Sequence, residues 1–314
     1  MDRIPNDNVS FVSGGKLDKL NDYDRPFPQR IITPEIAMND YEKLRAYPVK
    51  TQPFGIIGNR ALDIFMFLKR KSTPLSRMSH KEAWENLDER KKMIAGCVVI
   101  ESRRKARKHQ ITRKEQLTEG LLVDCMNMRY GSVSQFRPLV AKYLYAKFKA
   151  TKVLDFTAGW GGRLLGAMSL DIDYIGIDTN IDLKTEYEKI IKTYPSNSNV
   201  KMIWKKAETV DYSKLDYDFV FTSPPYINLE KYANMPKYDE SDFFEIFLYP
   251  TIKNSFRYLP KDKWYCLNIP IDMYKRLIKD KVLIKETLRI PLNKYHRNGS
   301  GNNYNEFIYC WKKR

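Results

Sequence analysis

The stretch Lys152-Val-Leu-Asp-Phe-Thr-Ala-Gly-Trp-Gly-Gly-Arg163 decides how this 314-residue chain is read. Its short apolar run, Val153 to Phe156, has the length of a buried strand. The glycines that follow, Gly159, Gly161 and Gly162, allow positive φ and let the backbone come close to another group. From about Gly162 to Leu170 the pattern turns helical, so the segment is strand, tight turn, helix. Asp155 sets a carboxylate at the strand end. Leu164 stands where a GxGxxG dinucleotide fingerprint needs its third glycine, so the turn is not of that kind.

Downstream, Asp173-Tyr-Ile-Gly-Ile-Asp-Thr-Asn180 is a second short apolar run, and it ends in an acid, Asp178. In nucleoside-binding α/β folds an acid about twenty residues beyond the glycine turn bonds ribose hydroxyls. Asp178 also suits the N-cap of a helix starting near Ile181, and the two roles are compatible. Val200 to Lys205 is a third strand, leading into Ala207-Glu208 with Asp211 close by. A fourth lies in Asp218-Phe-Val-Phe-Thr-Ser-Pro-Pro-Tyr226, where Phe219 to Phe221 is stopped by two prolines that donate no ladder hydrogen bonds. Left at the strand end are a hydroxyl (Ser223), rigid Pro224 and Pro225, and a flat ring (Tyr226). Ligands bind at such strand ends in open α/β sheets.

These three motifs, in this order, carry a resemblance. Ser223-Pro224-Pro225-Tyr226 resembles the catalytic (D/N/S)PP(Y/F) motif of amino-methyltransferases, which methylate an exocyclic NH2 on adenine N6 or cytosine N4. The glycine turn is similar to the S-adenosylmethionine motif of class I methyltransferases. The likeness spans roughly residues 127 to 314. It is closer still to amino-methyltransferases of phages and large DNA viruses, which share the Gly-Trp-Gly-Gly-Arg turn and the Tyr-Ile-Gly-Ile-Asp-Thr-Asn strand.

The resemblance implies a class I methyltransferase fold, an α/β Rossmann-like seven-stranded mixed sheet with its last pair of strands antiparallel. It implies S-adenosylmethionine as cofactor, held by Asp155, Thr157, Gly159, Gly161, Gly162, Asp178, Thr179 and Phe136, with Glu208 or Asp211 at the adenine ring. Ser134, Phe136 and Arg137, in a segment just before the first strand, are placed near the methionine end. Ser223, Pro224, Pro225 and Tyr226 are the implied catalytic residues. The implied activity is DNA methylation, of the kind found in restriction–modification. An RNA amino-methyltransferase and a non-catalytic nucleic-acid-binding subunit are the alternatives. A protein glutamine methyltransferase is disfavoured by the basic charge and by serine at position 223.

Composition narrows the partner. Lys and Arg number 55 against 38 Asp and Glu, a net charge of +17 with a pI of about 9.5. An excess of this size favours a polyanion, because neutralised phosphates release counterions. The densest cluster is Arg103, Arg104, Lys105, Arg107 and Lys108, followed by Arg113-Lys114, on an expected helix. Lys294 and Arg297, in a Gly/Asn-rich loop over 293–305, suit a nucleic-acid edge as well. Double-stranded DNA is the expected partner and RNA the alternative, and a homodimer or partner subunit is left open. The chain shows no signal peptide and no apolar run long enough for a bilayer, so a soluble intracellular protein is expected, cytoplasmic or in a nucleus or viral factory. The four cysteines lack CxxC spacing and read as reduced thiols, and the three histidines as surface residues, with no metal site.

Along the chain, residues 1–120 are expected to form a loop-rich arm and a basic helical region, and 121–314 the methyltransferase domain. Residues 1 to about 55 show no sustained periodicity. Ala61 to Leu68 is an apolar helical segment. Ser79 with Glu82 makes a capping box for a helix running through Trp84 and Leu87 towards Met93, and 94–120 is a third helix. Pro138 opens a helix to Phe148. Beyond the Pro-Pro loop, 227–239 reads as an active-site loop and Asp242 to Leu259 as one helix. Lys263 to Pro270, Leu283 to Pro291 and Glu306 to Lys312 complete the strands.

Overall fold

The computed structural model describes residues 25–29, 31–50, 55–74, 78–107, 118–225, 239–292 and 306–314, with the side chains of 98–107 and 306 outside the description. The chain divides into two compact units. One comprises Met1–Ile31 with Leu68–Val133, the other Ile32–Phe67 with Ser134–Arg314.

The second unit is built on a seven-stranded sheet. Its strands are β1 (Lys152–Asp155), β2 (Asp173–Asp178), β3 (Val200–Trp204), β4 (Phe219–Thr222), β5 (Trp264–Ile269), β6 (Leu288–Leu292) and β7 (Glu306–Lys312), in the order β3-β2-β1-β4-β5-β7-β6. The first five run parallel, and β7 is antiparallel to both β5 and β6. This is the topology of a class I methyltransferase sheet. The strand order reverses between β1 and β4, and in an open α/β sheet the crevice beyond such a reversal binds ligands.

Both faces of the sheet are covered. On one, Leu154, Ile177, Val220, Tyr265, Leu267 and Trp311 pack with Phe243, Phe244, Phe247, Leu248 and Ile252. On the other lie α6 (Pro138–Lys147) and α7 (Gly162–Met168). There the Tyr145 ring meets Phe219 and Phe221 edge-on, at 5.9 and 6.2 Å between centroids. α6 and α7 approach so closely that a Cβ on Gly166 would sit 2.7 Å from Ala141 Cβ.

Several expectations need correction. Residues 1–55 contain a regular helix, α1 (Pro34–Ala46), opened by Thr33, whose hydroxyl accepts from the Ile36 amide, and by proline in its first turn. It buries only Ala37, Tyr41 and Leu44, a stripe at helical spacing but just two turns long. The expected helix 242–259, which follows α8 (Lys184–Thr193) along the chain, is an α-turn (α9, Glu240–Asp242), a π-helical segment over Phe243–Leu248 and then α10 (Tyr249–Tyr258). Pro250 has no N–H to continue an α-ladder, and the Tyr249 amide bonds the Phe244 carbonyl instead, a five-residue step. β6 starts at Leu288 rather than Leu283. Ahead of it the Ile284 carbonyl accepts from Trp311 Nε1 at 2.6 Å, outside any strand ladder.

The first unit is helical: α3 (His80–Glu85), α4 (Leu87–Arg107) and α5 (Glu119–Tyr130), with α2 (Asn59–Lys71) entering it from Leu68 onwards. The Ser79–Glu82 capping box is present. The helix does not run on to Met93, because Asn86 breaks it. Its amide closes α3 on the Glu82 carbonyl while its side chain accepts from Asp88 and Glu89 and opens α4. α4 is described as far as Arg107, and 108–117 lie outside the described residues; Thr118 caps a separate helix, α5, so the expected helix does not continue to 120. Cys97 and Cys125 form a disulfide between α4 and α5, which corrects the reading of four reduced thiols. Cys266 and Cys310, adjacent across β5 and β7, are buried thiols. His80 is buried, not a surface residue, and bonds the Gly131 carbonyl through Nε2 at 2.5 Å. Among the described residues no helix is long and apolar enough to cross a membrane.

Candidate active site

The parallel register brings the ends of β1, β2, β4 and β5 to one edge of the sheet. Asp155, closing β1, is completely buried. Its Oδ2 accepts from Arg163 Nε and from the Tyr174 hydroxyl, both at 2.6 Å. Its Oδ1 accepts from the Thr222 hydroxyl at 2.8 Å and the Thr157 amide at 3.3 Å. A carboxylate offers about four lone-pair positions, and here protein donors take all of them. Asp155 therefore braces the turn. Burial pulls the pKa of the Arg163 guanidinium down, but the Asp155 carboxylate beside it, with Tyr174 and Tyr145, raises it on balance. Arg163 also donates to the Thr157 carbonyl and lies over the Phe136 ring.

Asp178, closing β2, is different. It is half-buried, and each oxygen accepts one backbone amide, Gly159 on Oδ2 at 2.7 Å and Asn180 on Oδ1 at 2.8 Å. One acceptor position remains on each oxygen among the described contacts. Desolvation raises its pKa, and the two amides partly offset that. Asp178 thus positions the glycine turn and keeps capacity for hydroxyl donors. It does so beside an αL glycine, since Gly159 has φ of +60°.

Gly162 serves close approach. A Cβ there would fall 1.9 Å from the Phe136 carbonyl oxygen, so the 134–137 segment lies directly on the turn. The Phe136 ring, half-buried, meets Phe221 edge-on at 5.2 Å. Gly161 also lies in the αL region, at φ +79°. Thr179 is exposed, Ser134 exposed and Arg137 half-buried at the N-cap of α6. Glu208 is half-buried on a 3-10 turn, Ala207–Thr209, just after β3. Asp211 caps the next turn, accepting from the Ser213 amide and hydroxyl and pairing with Lys214.

The Ser-Pro-Pro segment is joined to the glycine turn from below. The Thr222 hydroxyl, fully buried, donates to Asp155 and meets the Thr157 hydroxyl at 2.5 Å. Ser223 is half-buried and its Oγ donates to Asn268 Oδ1 at 3.4 Å, while Pro224 is buried and Pro225 half-buried. Asp178, the glycine turn and the Ser-Pro-Pro strand end therefore form one hydrogen-bonded assembly. Reading along the chain missed Arg163, Tyr174, Thr222 and Asn268. Their partners lie 8, 19, 67 and 45 residues away, beyond any local pattern.

Tyr226, Lys108, Lys294 and Arg297 lie outside the described residues. Arg103, Arg104, Lys105 and Arg107 fall within α4, with their side chains outside the description. Leu292 and Glu306, which flank 293–305, pair with each other at the same sheet edge as the site, since Phe307 pairs with Ile269.

No family model matches the chain, and no curated protein matches it. Solved structures similar to it include a precorrin-6y C5,15-methyltransferase from Geobacter metallireducens, at 15% identity over 55% of this chain and 87% of that one, with a TM-score of 0.39. A 16S rRNA N2 methyltransferase from T. thermophilus, in complex with AdoMet and guanosine, is 14% identical over 59% of this chain and 45% of its own, also at 0.39. A SAM-dependent O-methyltransferase from Thermotoga maritima is 10% identical over 60% and 69%, again at 0.39.

Proposed function

We propose that the chain transfers a methyl group from S-adenosylmethionine to the exocyclic amine of a nucleobase in DNA, adenine N6 or cytosine N4. The observation that carries this reading is the joining of Asp178, the glycine turn and the Ser-Pro-Pro strand end through Gly159, Asp155 and Thr222. The residues fit the cofactor. Asp178 retains acceptor capacity for ribose hydroxyls, and the turn behind it is held open by two αL glycines. Glu208 would meet the adenine, and the Phe136 segment the methionine end.

When bound, S-adenosylmethionine supplies an electrophilic methyl group. The remaining work falls to the chain. An exocyclic amine is a poor nucleophile because its lone pair is delocalised into the ring. The Ser223 hydroxyl and the Pro224 carbonyl accept its N–H groups from a rigid strand end, an arrangement set before the substrate arrives. The resemblance assigns Tyr226, outside the described residues, to stack on the extruded base, which would offset part of an unstacking cost of a few kcal/mol. Alignment of amine and methyl adds the advantage of orientation. Charge supports a nucleic-acid substrate, since residues 68–133 of the first unit hold 16 Lys and Arg against 8 Asp and Glu.

The test is methyl transfer from labelled S-adenosylmethionine into duplex DNA, RNA and protein. Label is expected in DNA as N6-methyladenine or N4-methylcytosine, and Tyr226→Ala is expected to slow it by removing a contact of about 1–3 kcal/mol. Label in RNA alone would overturn the substrate and keep the chemistry. Label in none of them would favour a non-catalytic subunit.

A further inference from the structure

We infer that Asn268 is a positioning residue that takes the hydroxyl proton of Ser223 and leaves the serine oxygen facing the substrate amine as an acceptor. The inference rests on the amino-methyltransferase reading and adds a residue to it.

Asn268 is an odd resident of its strand. It is 2% exposed on β5, flanked by Leu267 and Ile269, both fully buried. A buried amide is unfavourable unless hydrogen-bonded. Register explains where its bonds go. Thr222 lies beside Leu267, so the next position sets Ser223 beside Asn268, and neighbouring side chains of parallel strands leave the sheet on the same face. On the other side Asn268 pairs with Ile308 of β7, and its Nδ2 donates to the Phe307 carbonyl at 3.3 Å. That bond assigns the amide: the nitrogen faces β7, so Oδ1 faces Ser223, the contact seen at 3.4 Å.

The consequence follows from the inventory of a hydroxyl. Serine has one proton and two lone pairs. An incoming amine presents N–H groups, and a hydroxyl proton aimed at them would oppose binding. With that proton held by Asn268 Oδ1, the Ser223 oxygen has only lone pairs left for the amine. A neutral serine then performs the acceptor role without ionising. At 3.4 Å the contact is long for a hydroxyl–oxygen pair.

The experiment is a double-mutant cycle in full-length protein, with kcat read by labelled methyl transfer and cofactor affinity by titration with S-adenosylhomocysteine. Asn268→Leu is expected to lower kcat by about tenfold or more with cofactor affinity unchanged. Asn268→Asp, which keeps an acceptor oxygen, is expected to retain most of the rate at pH 8. In a Ser223→Ala background, Asn268→Leu is expected to have no further effect. An equal loss in both backgrounds, an aspartate no better than leucine, or a fall in cofactor affinity matching that in rate would overturn the inference. Absence of transfer by the unaltered protein would instead reject the functional reading. The pair is then judged by the Asn268 side-chain amide resonances. A shift on Ser223→Ala supports the contact, and unchanged resonances overturn it.

Discussion

Two aspartates at neighbouring strand ends, identical in chemistry, end up with different tasks because their surroundings fill them differently. Asp155 is saturated by Arg163, Tyr174, Thr222 and Thr157, whereas Asp178 accepts only two backbone amides. Both acids were legible as strand-end carboxylates. Which of them keeps acceptor capacity was not, because the donors come from distant positions. The account predicts that Arg163→Met, which strands the buried Asp155 carboxylate, costs about 3–5 kcal/mol of stability. Arg163→Lys is expected to recover little, since the guanidinium serves both Asp155 and the Thr157 carbonyl. Urea denaturation of both variants checks this, and a loss below 1 kcal/mol for Arg163→Met would count against Asp155 as the brace.

At the scale of elements, strands were the easier part to read. β1, β2 and β4 are short apolar runs punctuated by glycine, acid or proline, and their bounds shift by no more than a residue or two. Helix ends were harder where one polar residue serves two helices, as Asn86 does, or where a proline forces a π-turn, as before α10. α1 was missed because its apolar stripe is only three residues long, Ala37, Tyr41 and Leu44, and much of its hold on the molecule is polar. Lys142, 2% exposed in α6, donates to the carbonyls of Leu44, Arg45 and Tyr47 and closes the C-terminus of α1. Burial, with Arg45 adding to it, lowers its pKa to about 8. Lys142→Met keeps the apolar stem but removes the donors, and is predicted to cost about 1–3 kcal/mol. Hydrogen exchange should show α1 amides losing protection first.

His80 supplies an element-scale test in the first unit, where its ring bonds the Gly131 carbonyl just past α5. Burial, with Lys71 adding to it, lowers its pKa from 6.5 to about 4. The unfolded chain binds this proton between those values and the folded chain does not, so stability falls as pH drops through that window. At most about 2 kcal/mol should be lost between pH 7.5 and 5. His80→Gln, which keeps a donor but does not titrate, should flatten that part of the curve. An acid limb of equal size in the variant would assign the loss to other groups.

For the whole molecule, the seven-stranded mixed sheet with its antiparallel last pair was implied by the resemblance that the three strand-end motifs carry, while the strand order itself came from the structure. The division into units was not visible in the same way, since Ile32–Phe67 precedes the first unit's helices in sequence yet belongs with the sheet. Basic residues concentrate in 68–133. The central claim is that the glycine turn, Asp178 and the Ser-Pro-Pro strand end make one cofactor-dependent site. Calorimetric titration with S-adenosylhomocysteine tests it most directly. The account predicts saturable binding that Asp178→Ala weakens by roughly 1.5–3 kcal/mol, the worth of hydrogen bonds to a charged group. No binding by the unaltered protein, or the same affinity in the variant, would contradict it.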